Sequence, residues 1–282
     1  MLTRPLPFLF TPRHWLAAMV LLFLAGCAIA PPRTDDPLQN VNRKVYAFND
    51  RLDKAVLRPA AVTYRAITNP PVRRSVNNFF TNIQMPVTVA NALLQARPAD
   101  ALGGTGRFLI NLTIGVGGIF DPATRMGLPL KTTDFGITLA RWGAPEGDFL
   151  MLPLLGPSSM RDVWHYPVDG YFFDPLSIIA RTHYFSYGQY YLPQVLFVIS
   201  VRSQLIDAES YLETAYDPYA FMRDAWRQRR LYKLYDGNPP ADVIEKMQGV
   251  DQPGFDPDEL LEQQRQWEQK HAKSATGAAS GH

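Results

Sequence analysis

Few side chains in this sequence are placed to do chemistry. Five histidines occur, at His14, His165, His183, His271 and His282. Only His165 and His183 fall where a folded site could use them, and neither stands in an HExxH or comparable ligand spacing. The single cysteine, Cys27, excludes a disulfide framework and any thiolate-rich metal cluster. Gly156-Pro-Ser-Ser lacks the second glycine of a nucleophile elbow. Gly104-Thr-Gly106 and Gly115-Val-Gly-Gly118 are not followed by the Gly-Lys-Ser/Thr that completes a phosphate cradle. Acidic residues are scattered and no EF-hand loop occurs. The expectation is a protein without a catalytic site, metal or cofactor, apart from what Cys27 itself carries.

Cys27 is spaced for modification. Arg4, Arg13 and His14 precede an apolar run, Trp15–Leu24, of about ten residues. That is short of the roughly 20 needed to span a bilayer and suits the core of a signal peptide. The run ends in Leu24-Ala25-Gly26-Cys27, which resembles the lipobox of bacterial lipoproteins. Small residues admit a peptidase, and the thiol of the new terminus takes a diacylglyceryl thioether. With Ala28 in place of Asp, that resemblance implies delivery to the outer membrane. Two or three acyl chains would hold the protein there, each buried methylene contributing about 0.8 kcal/mol. Residues 1–26 are therefore expected to be a lipoprotein signal peptide, and 27–35 the acylated terminus and linker.

Short, proline-punctuated helices follow. Asp36-Pro37 is a good helix start. Leu38, Val41, Val45, Phe48, Leu52 and Val56 then recur at spacings of three and four, one apolar stripe that Pro59 should end. Helices are expected over 60–68, 72–82 and 87–96, after Asp121-Pro122, over 158–169 and 174–182, across 202–215 and from Asp217-Pro218 to about Tyr235. Ala101 to Phe120 holds six glycines and no clean stripe, which argues against an isolated helix. It reads either as a tight crossing in a core or as a wall or hinge bordering a lipid-accessible space. Phe149 to Leu155 could form one short buried strand. The tail over 237–282 is polar and expected to be largely disordered.

The chain is 46% hydrophobic and 12% aromatic, with 19% charged residues. Arg4 and Arg13 leave with the leader, and the remaining positive and negative residues balance, so the footprint of a nucleic-acid binder is missing. Neither a 20-residue spanning helix nor alternating barrel strands appear. Short amphipathic helices rich in Trp, Tyr and Phe suit a position within one leaflet.

From Asp36 the motifs accumulate in order. Asp36-Pro-Leu-x-x-x-Asn-Arg-x-x-Tyr-x-Phe-Asn49 comes first, and Arg58-Pro-Ala, Asn78-Phe through Asn82, Pro86 and Asn91-x-x-Leu-Gln95 follow. Arg107-Phe-x-x-Asn111, Gly115-x-Gly-Gly-x-Phe-Asp121 and Phe135-Gly-x-Thr-Leu139 come next. Pro153-x-x-Gly156-x-Ser-x-x-Arg-Asp162 and Asp217-Pro-Tyr219 end the series. In this the sequence resembles the MlaA (VacJ) lipoprotein family over roughly residues 36–230. The resemblance implies a mainly α fold, a ring-like assembly of short amphipathic helices lying in one membrane leaflet, over 36–236. It implies a passive channel at the periplasmic face of the outer membrane that removes misplaced phospholipid from the outer leaflet. Implied partners are phospholipid, a trimeric porin and a periplasmic lipid carrier.

The site residues the resemblance implies are Asn42, Arg43, Tyr46, Phe48 and Asn49 of the first motif and Gly115, Gly117 and Gly118 of the channel wall or hinge. Arg161 and Asp162 are expected to form an internal ion pair. Two other readings stay open. One is a porin-associated structural lipoprotein that moves no lipid; the other is a lipid hydrolase built around His165 or His183.

Overall fold

The computed structural model describes residues 36–181, 187–248 and 265; Cys27, the leader before it and His183 lie outside them. Helix α1 (Gln39–Leu52) passes through a π-helical turn (Asp53–Leu57) into α2 (Arg58–Ile67). Then come α3 (Pro70–Ile83), α4 (Met85–Leu94), α5 (Pro98–Thr113), α6 (Pro122–Arg125) and α7 (Phe135–Arg141). A hairpin of β1 (Phe149–Leu152) and β2 (Gly156–Ser159) interrupts the helices. After it run α8 (His165–Val168), α9 (Pro175–Arg181), α10 (Tyr187–Gln204), α11 (Glu209–Glu213), α12 (Pro218–Leu234) and α13 (Ala241–Gln248).

These elements form two units. The first comprises Pro70–Phe149 and Ser158–Phe197; the second comprises Pro32–Asn69, Leu150–Pro157 and the chain from Val198 onward. In the first unit α4 crosses α5, burying Met85, Ala92 and Ala101. In the second, Ala61, Tyr64 and Tyr219 are buried.

Local chemistry accounts for the ends of several helices. Asp121, Asp134 and Asp217 each turn a carboxylate onto the N–H groups of a first helical turn, the usual way of satisfying orphan donors. Asp36 does not cap α1, as its Asp-Pro pair suggested. Leu38 occupies the cap position, because the Asp36 carboxylate accepts hydrogen bonds from Tyr219 and from Asn42 Nδ2 (3.2 Å).

Three sequence expectations fail, at Pro59, over 158–169 and across 202–215, and two other segments gain definition. Pro59 does not end the first helix, since Leu57 and Arg58 both stay right-handed helical. The π turn just before Pro59 widens the spiral where the ring would otherwise strike a carbonyl one turn back. Residues 98–113 are a helix despite three internal glycines, and a Cβ on Gly104 would lie 3.0 Å from Val89 Cγ2. That half of the glycine segment is thus a close helix crossing, where a missing side chain is what permits the approach. The expected helix over 158–169 is in fact strand β2, a 3₁₀ turn (Asp162–Trp164) and the single turn α8. The amphipathic helix expected across 202–215 is broken, because α10 ends at Gln204 before a 3₁₀ turn (Ile206–Ala208) and α11. In the tail, Ala241–Gln248 is helical.

The fate of the α1 stripe matters more. Val41, Phe48 and Val56 are 60%, 52% and 54% exposed, while Asn42 is 2% exposed. The helix has turned Asn42 inward and half of its apolar stripe outward, while Leu38, Val45 and Leu52 are half-buried. Large exposed side chains such as Ile67, Leu102, Ile114, Phe120, Leu154, Phe172 and Leu192 repeat the pattern in both units. No described helix is long and apolar enough to cross a membrane.

Candidate functional site

The first motif is a polar latch. Asn42 and Asn49 are seven residues apart, two helical turns, and share one face of α1. Asn42 Oδ1 accepts from the N–H of Met151 (2.9 Å). Asn49 donates to the Leu152 carbonyl (2.9 Å) and accepts from the Leu154 N–H (2.9 Å). A carboxamide offers a donor and an acceptor side by side, as a neighbouring strand would. The two asparagines therefore pair with the open backbone of β1 and its turn.

Arg43 pairs with both carboxylate oxygens of Asp217 and lies over the Tyr219 ring, 4.6 Å from its centre. Tyr46 meets the same ring edge-on at 5.9 Å. Four of the five motif residues thus tie α1 to the hairpin and to the start of α12, all within the second unit. Phe48 alone points outward.

The Asp217 carboxyl is held below the ordinary aspartate range, mainly by its hydrogen bond to Arg43; burial opposes this, and the N–H groups of Ala220 and Tyr219 assist. A depressed folded pKa means stabilisation that is present above the unfolded value and lost as pH falls through the folded one. Asp217→Ala should cost about 1–2 kcal/mol at neutral pH, as loss of a helix cap does. The gap between variant and parent should close below about pH 4, where unfolded aspartate begins to protonate. Thermal melts followed by circular dichroism at neutral and acid pH check this.

In the first unit the later motifs condense into buried polar clusters. Arg107, with a side chain 3% exposed, reaches both oxygens of Asp121 (3.0 and 2.9 Å), Thr124 Oγ1 (2.9 Å) and the Leu128 carbonyl. Asn111 joins by donating to Asp121 (3.1 Å) and accepting from the Ala123 N–H (3.1 Å). Burial works against the Asp121 carboxylate, but hydrogen bonds from Thr124, Arg107 and Asn111 outweigh it and hold its pKa low. A second cluster joins Asn91, Thr138, Gln95 and Asp169. Asn91 donates to Asp169 (2.7 Å) and accepts from Thr138 (2.7 Å), while Gln95 donates to Thr138 (2.9 Å). Arg161 and Asp162 do form the ion pair that the sequence suggested, at 2.9 Å.

The glycine segment after α5 is a tightly bonded turn. N–H groups of Gly115, Gly117 and Gly118 donate to the carbonyls of Ile110 (3.1 Å), Leu112 (2.9 Å) and Asn111 (2.7 Å). Val116, Gly117 and Gly118 all take positive φ, at 53°, 72° and 91°. A Cβ on Gly115 would sit 2.4 Å from the Asn111 carbonyl oxygen, and one on Gly118 would sit 2.7 Å from Asn82 Cβ. Gly117 faces open space. These glycines belong to the first unit and the Asn42–Asn49 latch to the second.

Sequence reasoning passed over one feature. Val72, Val76, Phe79 and Phe80 on α3, with Ile119 and Leu196, line an apolar cavity of about 750 Å³ in the first unit. The 72/76/79 spacing was its available signal. His165 packs against Tyr166, ring centres 3.9 Å apart. Among the described residues no three His, Cys, Asp or Glu side chains converge as metal ligands.

The described residues are mainly helical, bury polar clusters and leave many large apolar side chains exposed. This chain belongs to the MlaA lipoprotein family, whose model matches residues 34–233. The Escherichia coli K12 intermembrane phospholipid transport system lipoprotein MlaA is 33% identical over 241 residues, 81% of this chain and 93% of the relative. Its Haemophilus influenzae counterpart is 25% identical over 88% of this chain and 96% of its own length. An uncharacterised Rickettsia felis protein is 36% identical over 198 residues, 69% of this chain and 76% of its own. A solved structure reported as the structural basis for maintenance of bacterial outer membrane lipid asymmetry superposes with a TM-score of 0.61 at 30% identity. It is matched over 99% of its length and 71% of this chain.

Proposed function

We propose that this protein is an acylated lipoprotein, anchored through Cys27 at the periplasmic face of the outer membrane, and a component of intermembrane phospholipid transport. In this reading its short helices form a ring in the inner leaflet and give misplaced outer-leaflet phospholipid a passive path inward. A periplasmic lipid carrier receives the lipid, and a trimeric porin holds the protein in place. The observation that carries it is the face the first helix exposes: Asn42 is buried against the hairpin, while Val41, Phe48 and Val56 face outward. Exposed side chains of this kind are costly in water and favourable in hydrocarbon.

A polar path for the headgroup and an apolar wall for the tails need no covalent step, and no cofactor beyond the acyl anchor enters. Gly115, Gly117 and Gly118 are assigned to the wall of the path. Deleting the gene should raise the phospholipid on the cell surface that an impermeant amine-reactive dye can reach, and Cys27→Ala should do the same. Unchanged surface labelling in the deletion, with the porin still co-purifying from the parent strain, would favour a structural lipoprotein that moves no lipid.

A further inference from the structure

The outer face of α1 mixes two chemistries in a regular way. From 41 to 52 the exposed residues are Val41, Lys44, Phe48 and Arg51 alone, at spacings of three and four that set them on one stripe. At about 100° per residue this stripe lies across the helix from Asn42 and Asn49, which hold the hairpin. The carboxylates of the same stretch are already engaged. Lys54 donates to Asp50 (2.8 Å), and Arg202 donates to both oxygens of Asp53 (2.7 and 2.8 Å). Among the described residues Lys44 and Arg51 pair with no carboxylate.

The helix runs on through the π turn, and its face changes. Leu52, Asp53, Leu57 and Arg58 all stay right-handed helical. Beyond them α2 exposes Pro59, Val62, Thr63, Ala66 and Ile67, while Arg58 and Arg65 are drawn onto Glu209 (3.0 Å) and Asp207 (2.8 Å). Val56 to Ile67 rises about 16 Å, close to half of a hydrocarbon core roughly 30 Å thick. One continuous helix thus carries unpaired cations among apolar side chains at its start and a largely apolar face, one leaflet deep, at its end.

This pattern selects a lipid surface over a partner helix. Val41, Lys44, Phe48, Arg51 and Ala55 have the spacing of a coiled-coil seam, so a helix packed there would desolvate both cations inside the seam. At a bilayer surface the Lys and Arg stems lie along their apolar neighbours and carry the charge out to the phosphates. The tether agrees. Cys27 precedes Asp36 by nine residues, at most about 32 Å of chain, and Asp36 is held by Tyr219 and by Asn42 Nδ2 (3.2 Å). The stripe begins five residues beyond that fixed point, within reach of the leaflet that takes the acyl chains. We infer that Lys44 and Arg51 bind the phosphates of anionic glycerophospholipids at the leaflet surface. The inference rests on the anchored, phospholipid-transport reading and adds to it a headgroup preference and the residues that set it.

The test uses the full acylated chain in vesicles. Cys27 is the only cysteine and is acylated, so Ala55→Cys offers one thiol for a fluorophore, four residues from Arg51. Doxyl-labelled phosphatidylglycerol should quench it at a mole fraction roughly 20-fold lower than doxyl-labelled phosphatidylcholine. Lys44→Gln and Arg51→Gln should each reduce that preference about fivefold, and the double variant should abolish it. Raised salt should weaken it in the parent. Arg229→Gln removes an equal charge from α12 and should leave it unchanged. Melting curves identify any variant that fails to fold, and two separate cations keep one such failure from deciding the matter.

Equal quenching by the two lipids in the parent would overturn the inference, as would a preference that survives in the double variant. So would a fluorophore quenched by neither lipid while a photocrosslinker at position 55 joins a second protein chain, which gives the face to a protein partner. Surface-dye labelling of the deletion strain tests transport separately. Raised labelling there without a headgroup preference here leaves transport standing and removes only this site; a preference with unchanged labelling does the reverse.

Discussion

Asp121→Ala is expected to cost roughly 3–5 kcal/mol, the loss typical of breaking a buried ion pair from one side. Among the described residues the Arg107 guanidinium pairs with no carboxylate but Asp121, and its side chain is 3% exposed. Without Asp121 the cation stays buried beside neutral oxygens of Thr124 and Leu128. Asn111 loses an acceptor and α6 loses its cap in the same step. Arg107→Met together with Asp121→Ala should recover part of the loss, because an apolar replacement leaves no charge unsatisfied. Chemical denaturation in mild detergent, followed by circular dichroism, measures both. pH supplies an independent check. The Asp121 pKa is depressed in the folded state, so its contribution exists above the unfolded carboxylate value and fades as pH drops through the folded one. Parent and Asp121→Ala stabilities should therefore converge in acid.

This expectation follows from where the sequence was readable and where it was not. Asp121-Pro122 and Asp217-Pro218 could be read locally because an N-cap followed by proline acts on the N–H groups next to it. The end of a helix at Pro59 could not, because the π turn before it depends on the spiral widening over several residues. The α1 stripe was legible as a stripe, since period 3.6 depends only on spacing. Its direction was not, because periodicity says which side chains share a face and not which solvent that face meets. Spacing alone would make Val41, Phe48 and Val56 the buried set; here Asn42 is. Gly104 illustrates a third limit. Glycine lowers helix propensity residue by residue, yet the crossing with Val89 repays that loss through a partner distant in sequence.

The candidate site was legible in a similar way. The recurring Asn, Arg, Asp and Thr residues carried the resemblance, and their spacing gave no partners. The structure turns them into three clusters that clamp loops and helix ends: Asn42 and Asn49 on the hairpin, Arg107 on Asp121, and Asn91 on Thr138 and Asp169. Where apolar side chains face outward, fewer remain to drive packing, and hydrogen-bonded polar networks specify the fold instead. Substitutions in these clusters should therefore cost more stability than substitutions at outward residues such as Phe48.

The glycine turn gives the second large effect and separates a structural demand from a functional one. Gly115→Ala places a methyl 2.4 Å from the Asn111 carbonyl and 2.6 Å from the Phe120 carbonyl. Both obstacles are backbone, so no rotamer change relieves them. Asn111 and the turn would have to shift, at a cost near or above the roughly 3 kcal/mol upper range of overpacking. Because Asn111 also donates to Asp121, part of that loss should be shared with the Arg107 cluster. Gly117→Ala meets open space and carries only its left-handed conformation, about 1–2 kcal/mol. Gly117→Leu adds bulk at the same backbone cost and so reports on whatever passes that surface. If the turn borders the lipid path, Gly117→Leu melts like Gly117→Ala and yet raises surface-accessible phospholipid toward the level of the deletion strain. Surface labelling that stays at the parent level in a folded Gly117→Leu protein removes these glycines from the path, whatever Gly115→Ala does to stability.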